Sequence, residues 1–238
     1  MSNAIELDPE QKMTLDNAQR FDFMKPDVPA GLPHFEMPLL RATPENFAPY
    51  GTIVTDFMDH PVPVTQWPHT GWRPVEPGTG DEGGYMDGIF EFWWEGDVLF
   101  GENKAVNDKY ILGWAVNPET ARTDNPEPDR SRLLIWHANH HPDGGQLFYP
   151  LDNRPFVAAL ACTGDDMKPQ DWVAFYCDGS FGICLNAGIW HEAITPLAPL
   201  ARFYDKQGAV HARVGADFPK EFGLLMSIPL DLGKMQDD

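Results

Sequence analysis

Apolar and polar positions along the chain alternate with a period of two over short stretches, and almost nowhere show the three-and-four spacing of a helix. "PLLRA", "TIVTDF", "GIFEFWWEGDVLFG", "KYILGWAVNP", "RLLIWHANHH", "QLFYPL", "VAFYCDG" and "ARFYDKQ" read as strands. "RPFVAALAC" is apolar throughout, as a strand covered on both faces would be, and "SFGICLNAGIWHEAITPL" reads as two short strands about "NAG". Turn residues recur at roughly 8- to 12-residue spacing, the rhythm of a sandwich or barrel. One short helix is expected at "TPENFAPYG". Thr43 is its N-cap, Pro44 its first residue and Glu45 lies in the first turn; Pro49 and Gly51 end it.

The pattern divides the chain into a charged, weakly periodic arm (1–36), an all-β body (37–210) and a tail (211–238) expected to pack on the body or on a partner. The body carries insertions near 60–85 and 118–131, and the Trp- and Gly-rich passage 67–100 is placed to cap a pocket. Composition agrees: 23 prolines and 21 glycines among 238 residues suit strands joined by turns. The net charge of −19 argues against nucleic acid and anionic lipid as partners. No apolar run approaches the roughly 20 residues of a membrane span. The acidic start lacks the features of a secretory signal, so a cytoplasmic setting is expected. Cys162, Cys177 and Cys184 are odd in number and without metal-knuckle spacing, as expected of free thiols.

Candidate chemistry gathers at "HANHHPDGG". On a strand, His137, Asn139 and His141 share one face, with Trp136, Ala138 and His140 on the other. "PDGG" is expected to turn the chain into a hairpin that brings Gln146 opposite His141. Downstream, "GIWHEAI" supplies His191 and Glu192. On "ARFYDKQ" two faces compete. Either Arg202, Tyr204 and Lys206 point inward, offering a cation for a substrate carboxylate, or Asp205 does, as a candidate base. Trp190, Tyr204 and Phe148 are candidate pocket walls. His34, His60, His69 and His211 lie in unpatterned segments and are expected at the surface.

Asn139-x-His141-x4-Gln146 followed by Gly188-x-Trp190-His191 resembles the two metal motifs of the cupin superfamily, and the chain is similar to the ureidoglycolate lyase family of purine (allantoin) catabolism. The pieces that match are "PLLRATPENFAPYGTIV", "HHPDGGQLFYPL", "FVAALACTGDDMKPQDWVAFYCDG", "GIWHEAI" and "FYDKQG". The resemblance implies an all-β cupin-type double-stranded β-helix (jelly-roll) barrel with few short helices. It also implies a homodimer and cleavage of a C–N bond in a small anionic ureido or hydroxy acid, giving glyoxylate and urea in the simplest case. His141, Gln146, His191 and Asn139 then become candidate ligands of a divalent metal (Ni, Zn, Mn or Fe). His191, His137, Glu192, Asp205 and Lys206 become candidate catalytic groups, and Trp190, Tyr204, Arg202 and Phe148 candidate substrate contacts. The chain departs from the family pattern where Asn139 and His140 replace a Glu–Arg pair, where Glu192 and Asn186 stand in place of histidines, and where Lys206 replaces an arginine. The missing acidic ligand keeps two alternatives in view, a metal-dependent cupin oxygenase or isomerase and a non-catalytic ligand-binding cupin.

Overall fold

Short alternating segments become short strands, because each can bury one face only by pairing into a sheet packed against a second layer. The computed structural model describes residues 21–65, 71–80, 84–208 and 212–236. In chain order the strands are β1 (His34–Glu36), β2 (Leu39–Arg41), β3 (Gly51–Val54), β4 (Tyr85–Glu95), β5 (Val98–Asn103), β6 (Asp108–Trp114), β7 (Arg132–Ile135), β8 (His137–His140) and β9 (Gln146–Pro150). Then follow β10 (Phe156–Ala161), β11 (Val173–Cys177), β12 (Gly182–Leu185), β13 (Trp190–His191), β14 (Thr195–Pro196), β15 (Leu200–Gly208), β16 (Val214–Asp217) and β17 (Leu225–Pro229). Among the described residues two short α-helices accompany them, α1 (Pro44–Phe47) and α2 (Phe218–Phe222). None of the described helices is long and apolar enough to cross a membrane.

The strands form two sheets. The larger runs β1-β17-β7-β6-β5-β4-β15-β9-β12-β3 and the smaller β16-β8-β13-β10-β11-β2, with β14 paired to β10. This is the all-β, two-layer architecture expected. Its core lies between the layers, where Phe203 of the larger sheet meets Phe156 of the smaller edge-on at 5.1 Å. Phe203, Phe156 and Phe92 are each fully buried, each contributing roughly 1.5–3 kcal/mol by leaving water. α1 forms as expected: Thr43 Oγ1 accepts from the Asn46 amide at 3.2 Å, and Asn46 Oδ1 accepts from the Thr43 amide at 2.9 Å.

Two features differ from the sequence reading and bear on the site. "RLLIWHANHH" is not one strand. It breaks at Trp136, β7 staying in the larger sheet and β8 entering the smaller one. "PDGG" does not close a hairpin either. β8 and β9 lie in different sheets, so the turn carries the chain from one layer to the other. Gly145 is required there, because a Cβ would collide with the carbonyl oxygen of Leu185. Residues 212–236, read as a tail, supply β16 to the edge of the smaller sheet and β17 to the larger.

The described part of the arm covers the outer face of the larger sheet. Phe21, Phe23, Val28 and Leu32 pack on Trp114, Leu134 and Trp136, and the Ile111 amide donates to the Phe23 carbonyl at 2.8 Å. Residues 1–20 of the arm, and His69 and His211, lie outside the described residues.

Candidate functional site

Because β8 and β9 sit in opposite layers, the inward faces of both look into one cavity. It holds about 440 Å³ of empty space, its mouth included, and is walled by His137, Asn139 and His141 from one layer and Gln146 and Phe148 from the other. β13 and the residue after it add His191 and Glu192 from beside β8, since His191 is registered against Asn139. The parity drawn for "HANHH" therefore holds. His140 points to the opposite side, its ring 4.5 Å from that of Trp190.

Each inward histidine is held through Nδ1. His141 donates to the Ala212 carbonyl at 3.0 Å, His191 to the Ile189 carbonyl at 2.8 Å, and His137 to Glu192 Oε2 at 3.2 Å. Glu192 is itself fixed by the Ala193 amide, which donates to Oε1 at 2.7 Å. With Nδ1 carrying the proton, Nε2 of a neutral His137 is a lone pair. It is buried and has no hydrogen-bond partner among the described residues. A carboxylate-oriented imidazole of this kind can take a proton.

Behind the pocket lies a second chain. Asp205 is fully buried; Gln146 Nε2 donates to its Oδ1 at 2.7 Å and Asn103 Nδ2 to its Oδ2 at 3.0 Å. The other amide atom of Gln146, assigned as Oε1, lies 3.1 Å from His191 Nε2. Two proton arrangements satisfy these contacts, because an amide can turn over. In one, Asp205 is ionised and His191 doubly protonated. In the other, Asp205 is protonated and donates to the amide oxygen, whose NH₂ then donates to a neutral His191. Burial pushes Asp205 up to about 6 against the lowering pull of Gln146 and Asn103. Burial likewise lowers His191, against raising contributions from the Ile189 carbonyl and Glu192. Both directions favour the uncharged arrangement.

The remaining candidates separate by strand parity. On β15 Ala201, Phe203, Asp205 and Gln207 point inward, so Asp205 is the inward acid. Arg202 lies on the outer side, where its guanidinium donates to Asp152 at 2.8 Å. Lys206 donates to the His60 carbonyl at 3.4 Å, and Tyr204 donates to Asp87 at 3.0 Å. None of these three reaches the pocket. Trp190 is buried against Arg73 and donates through Nε1 to the Gly164 carbonyl at 2.7 Å, away from the cavity.

The cavity's cation is one the sequence reading missed. Arg213 lies one residue before β16, beyond the pairing of Val214 with His140, and so beside His141. Its Nε donates to Glu76 Oε2 at 2.6 Å, and Nη1 stands 3.9 Å from Asp108. Burial would lower this guanidinium, but Glu76, Tyr110 and Asp108 outweigh it and hold it charged. Glu76 belongs to the insertion, whose strap is locked by hydrogen bonds from the Glu76 amide to the Arg213 carbonyl (2.8 Å) and from the Arg213 amide to Thr79 Oγ1 (3.0 Å). The alternation in "ARVGAD" (212–217) was the available signal. Gly215 stays bare because a Cβ would come within 2.8 Å of Glu76 Oε1 and 2.5 Å of the Phe21 ring. Phe21 and Phe23 close the wall over His137, their rings 4.4 Å and 5.1 Å from it.

A family model matches the part of the chain that supplies the histidines, Gln146 and Asp205. Residues 122–213, from the loop before β7 to Arg213, match the family model described as ureidoglycolate lyase. Over 86 residues the chain is 33% identical to the ureidoglycolate lyase of Azotobacter vinelandii (strain DJ / ATCC BAA-1303), covering 35% of this chain and 49% of that protein. Over 77 residues it is 30% identical to ureidoglycolate lyase 2 of Rhizobium meliloti (strain 1021), covering 32% and 47%. Over 67 residues it is 36% identical to the ureidoglycolate lyase of Pseudomonas aeruginosa (strain LESB58), covering 28% and 37%. The chain thus spans about half the length, or less, of these relatives.

Proposed function

We propose that the chain is a lyase of the ureidoglycolate lyase family, cleaving the C–N bond of ureidoglycolate or a close ureido hydroxy acid to glyoxylate and urea. The observation that carries this reading is the convergence of the His137–Glu192 pair and the Asp205–Gln146–His191 chain on one cavity faced, among the described residues, by a single cation, Arg213.

Arg213 receives the substrate carboxylate on its terminal nitrogens while Glu76 holds Nε. His137 Nε2 takes the proton of the substrate hydroxyl. The O–H electron pair becomes the second bond of the new carbonyl, the C–N pair leaves with nitrogen, and that nitrogen takes up a proton to give urea. His191 supplies this proton from its doubly protonated arrangement, which it enters as the Asp205 proton crosses and the Gln146 amide turns over. The apolar wall of Phe23, Phe90 and Phe148 limits access of water.

A divalent ion defines a second arrangement of this pocket, in which His191 Nε2 and the Gln146 oxygen hold the ion in place of relaying a proton and His137 serves as both base and acid. His141, His191 and the amide oxygens of Gln146 and Asn139 would hold it. Asn139 Oδ1 is a buried acceptor with no partner among the described residues, and His191 Nε2 and Gln146 Oε1 are spaced as two neighbouring ligands. No carboxylate joins this donor set, as weak holding would require. When bound, the ion would lower the hydroxyl pKa and polarise the carboxylate. Removal with EDTA and reloading with Zn²⁺ or Ni²⁺ should change the rate; a rate indifferent to both would remove the ion from the reading. A cytoplasmic homodimer joined through open sheet edges completes it, and a sedimentation mass of one chain would sink the dimer.

The decisive assay is glyoxylate release from ureidoglycolate. Wild type should turn over, and His137→Ala and His191→Ala should each lower kcat by roughly 10²- to 10⁴-fold, the usual worth of a positioned acid or base. No release by wild type, or undiminished release by both variants, would end the proposal.

A further inference from the structure

Gln146 and Gln207 stand directly opposite each other on β9 and β15, so their side chains project from the same face into the same cavity. Their situations differ. Gln146 spends both amide atoms within the protein, on Asp205 and His191. Gln207 is 1% exposed, and neither its Nε2 nor its Oε1 has a hydrogen-bond partner among the described residues. A primary amide buried with both ends unmatched costs stability, and an apolar residue of the same size would avoid that cost. Its presence on the cavity wall points to a ligand that supplies the missing partners.

The unmatched groups define that ligand. The cavity offers one NH₂ donor, Gln207 Nε2, and three acceptors, Gln207 Oε1, Asn139 Oδ1 and His137 Nε2. A carboxylate brings acceptors only and cannot satisfy them. A guanidinium brings donors only. A ureido group beside a hydroxyl brings one carbonyl oxygen, several N–H donors and one O–H, which is the complementary set. Building on the lyase reading above, we infer that Gln207 is the specificity-determining residue for the substrate's ureido end. Its NH₂ donates to the ureido carbonyl and its Oε1 accepts from the adjacent N–H, in a paired amide contact. In the ion-free pocket Asn139 Oδ1 takes the inner N–H, the terminal NH₂ is left to Gln207, and Arg213 to the carboxylate.

The test uses ureidoacetate, which lacks the hydroxyl and so cannot release glyoxylate. Its comparison ligand is N-acetylglycine, in which a methyl group replaces the terminal NH₂. Binding of each to the full chain is measured by calorimetry. Wild type should prefer ureidoacetate by roughly 10- to 100-fold, the worth of one or two neutral hydrogen bonds, and Gln207→Leu should abolish that preference. The Leu variant should also melt at or above the wild-type temperature, because it replaces an unmatched buried amide; should it not fold, Gln207→Met is read in the same way. Equal affinities in wild type, a preference that survives the substitution, or a lower melting temperature for the Leu variant would each overturn the inference. A Gln207-dependent preference in a protein that releases no glyoxylate would uphold this assignment while the lyase reading fails.

Discussion

Asp205 is fully buried with two amides bonded to its carboxylate, and burial holds its carboxyl at about 6 instead of 3.8. The sign follows from linkage. The folded state keeps a proton that the unfolded chain releases above 3.8, so this residue's contribution to stability is full at low pH. It falls as pH rises from 3.8 to about 6, and stays at its lower value above that. Replacement by Asn keeps both neighbours hydrogen-bonded and removes the titration. Subtracting the thermal midpoint of wild type from that of Asp205→Asn across this pH window should give a difference that grows with pH; a flat difference would mean that Asp205 is not the titrating group. The residue's identity as a candidate was readable from "FYDKQ", but its direction was not. Period two makes Arg202-Tyr204-Lys206 and Asp205-Gln207 equally good inward faces, and only the side on which the second layer packs distinguishes them. Arg213 escaped for a related reason. It lies next to a segment read as tail, so no strand face was assigned to it.

Among the elements, the strap at residues 71–80 shows how an insertion becomes part of a site. Its two anchors differ in burial. Arg73 and Glu221 form a bidentate pair, at 2.7 Å and 2.5 Å, with both side chains almost fully covered. Arg213 and Glu76 pair at the cavity, where the arginine side chain is 15% exposed. Glu221→Ala removes the bidentate carboxylate partner of a buried guanidinium and should cost about 3–5 kcal/mol in denaturant unfolding. Glu76→Ala leaves a cation that water can reach, so it should cost much less stability and instead raise KM for an anionic substrate. Equal losses of stability would contradict this division. From the sequence the passage could be marked as a cap by its Trp and Gly content, yet the pairings span 137 and 148 residues, distances at which no local pattern carries information. α1 shows the opposite case. Its cap is local chemistry, and it formed where Thr43 and Pro44 placed it.

For the molecule as a whole, the two-sheet architecture follows from the density of alternating segments and turn residues, and it could be read before any contact was known. What could not be read was the arm. Phe21 and Phe23 are two aromatics in a polar stretch, and nothing nearby in sequence says that their partners are Trp136 and His137. Removing residues 1–32 leaves β1 intact but uncovers Trp114 and Trp136. Tryptophan emission should shift to the red and turnover should fall as water reaches His137. Unchanged emission with full activity would show that the arm covers nothing of consequence.

The break at Trp136 places His137, Asn139 and His141 on one layer and Gln146 and Asp205 on the other. Base and proton store are therefore bolted to two separate plates, and the spacing of those plates is set by the aromatic filling between them. Trimming that filling at Phe156 or Phe203, neither of which lines the cavity, alters the gap across which the proton must travel. Turnover then works as a thickness gauge for the sandwich, registering slack in the packing well before the fold itself gives way.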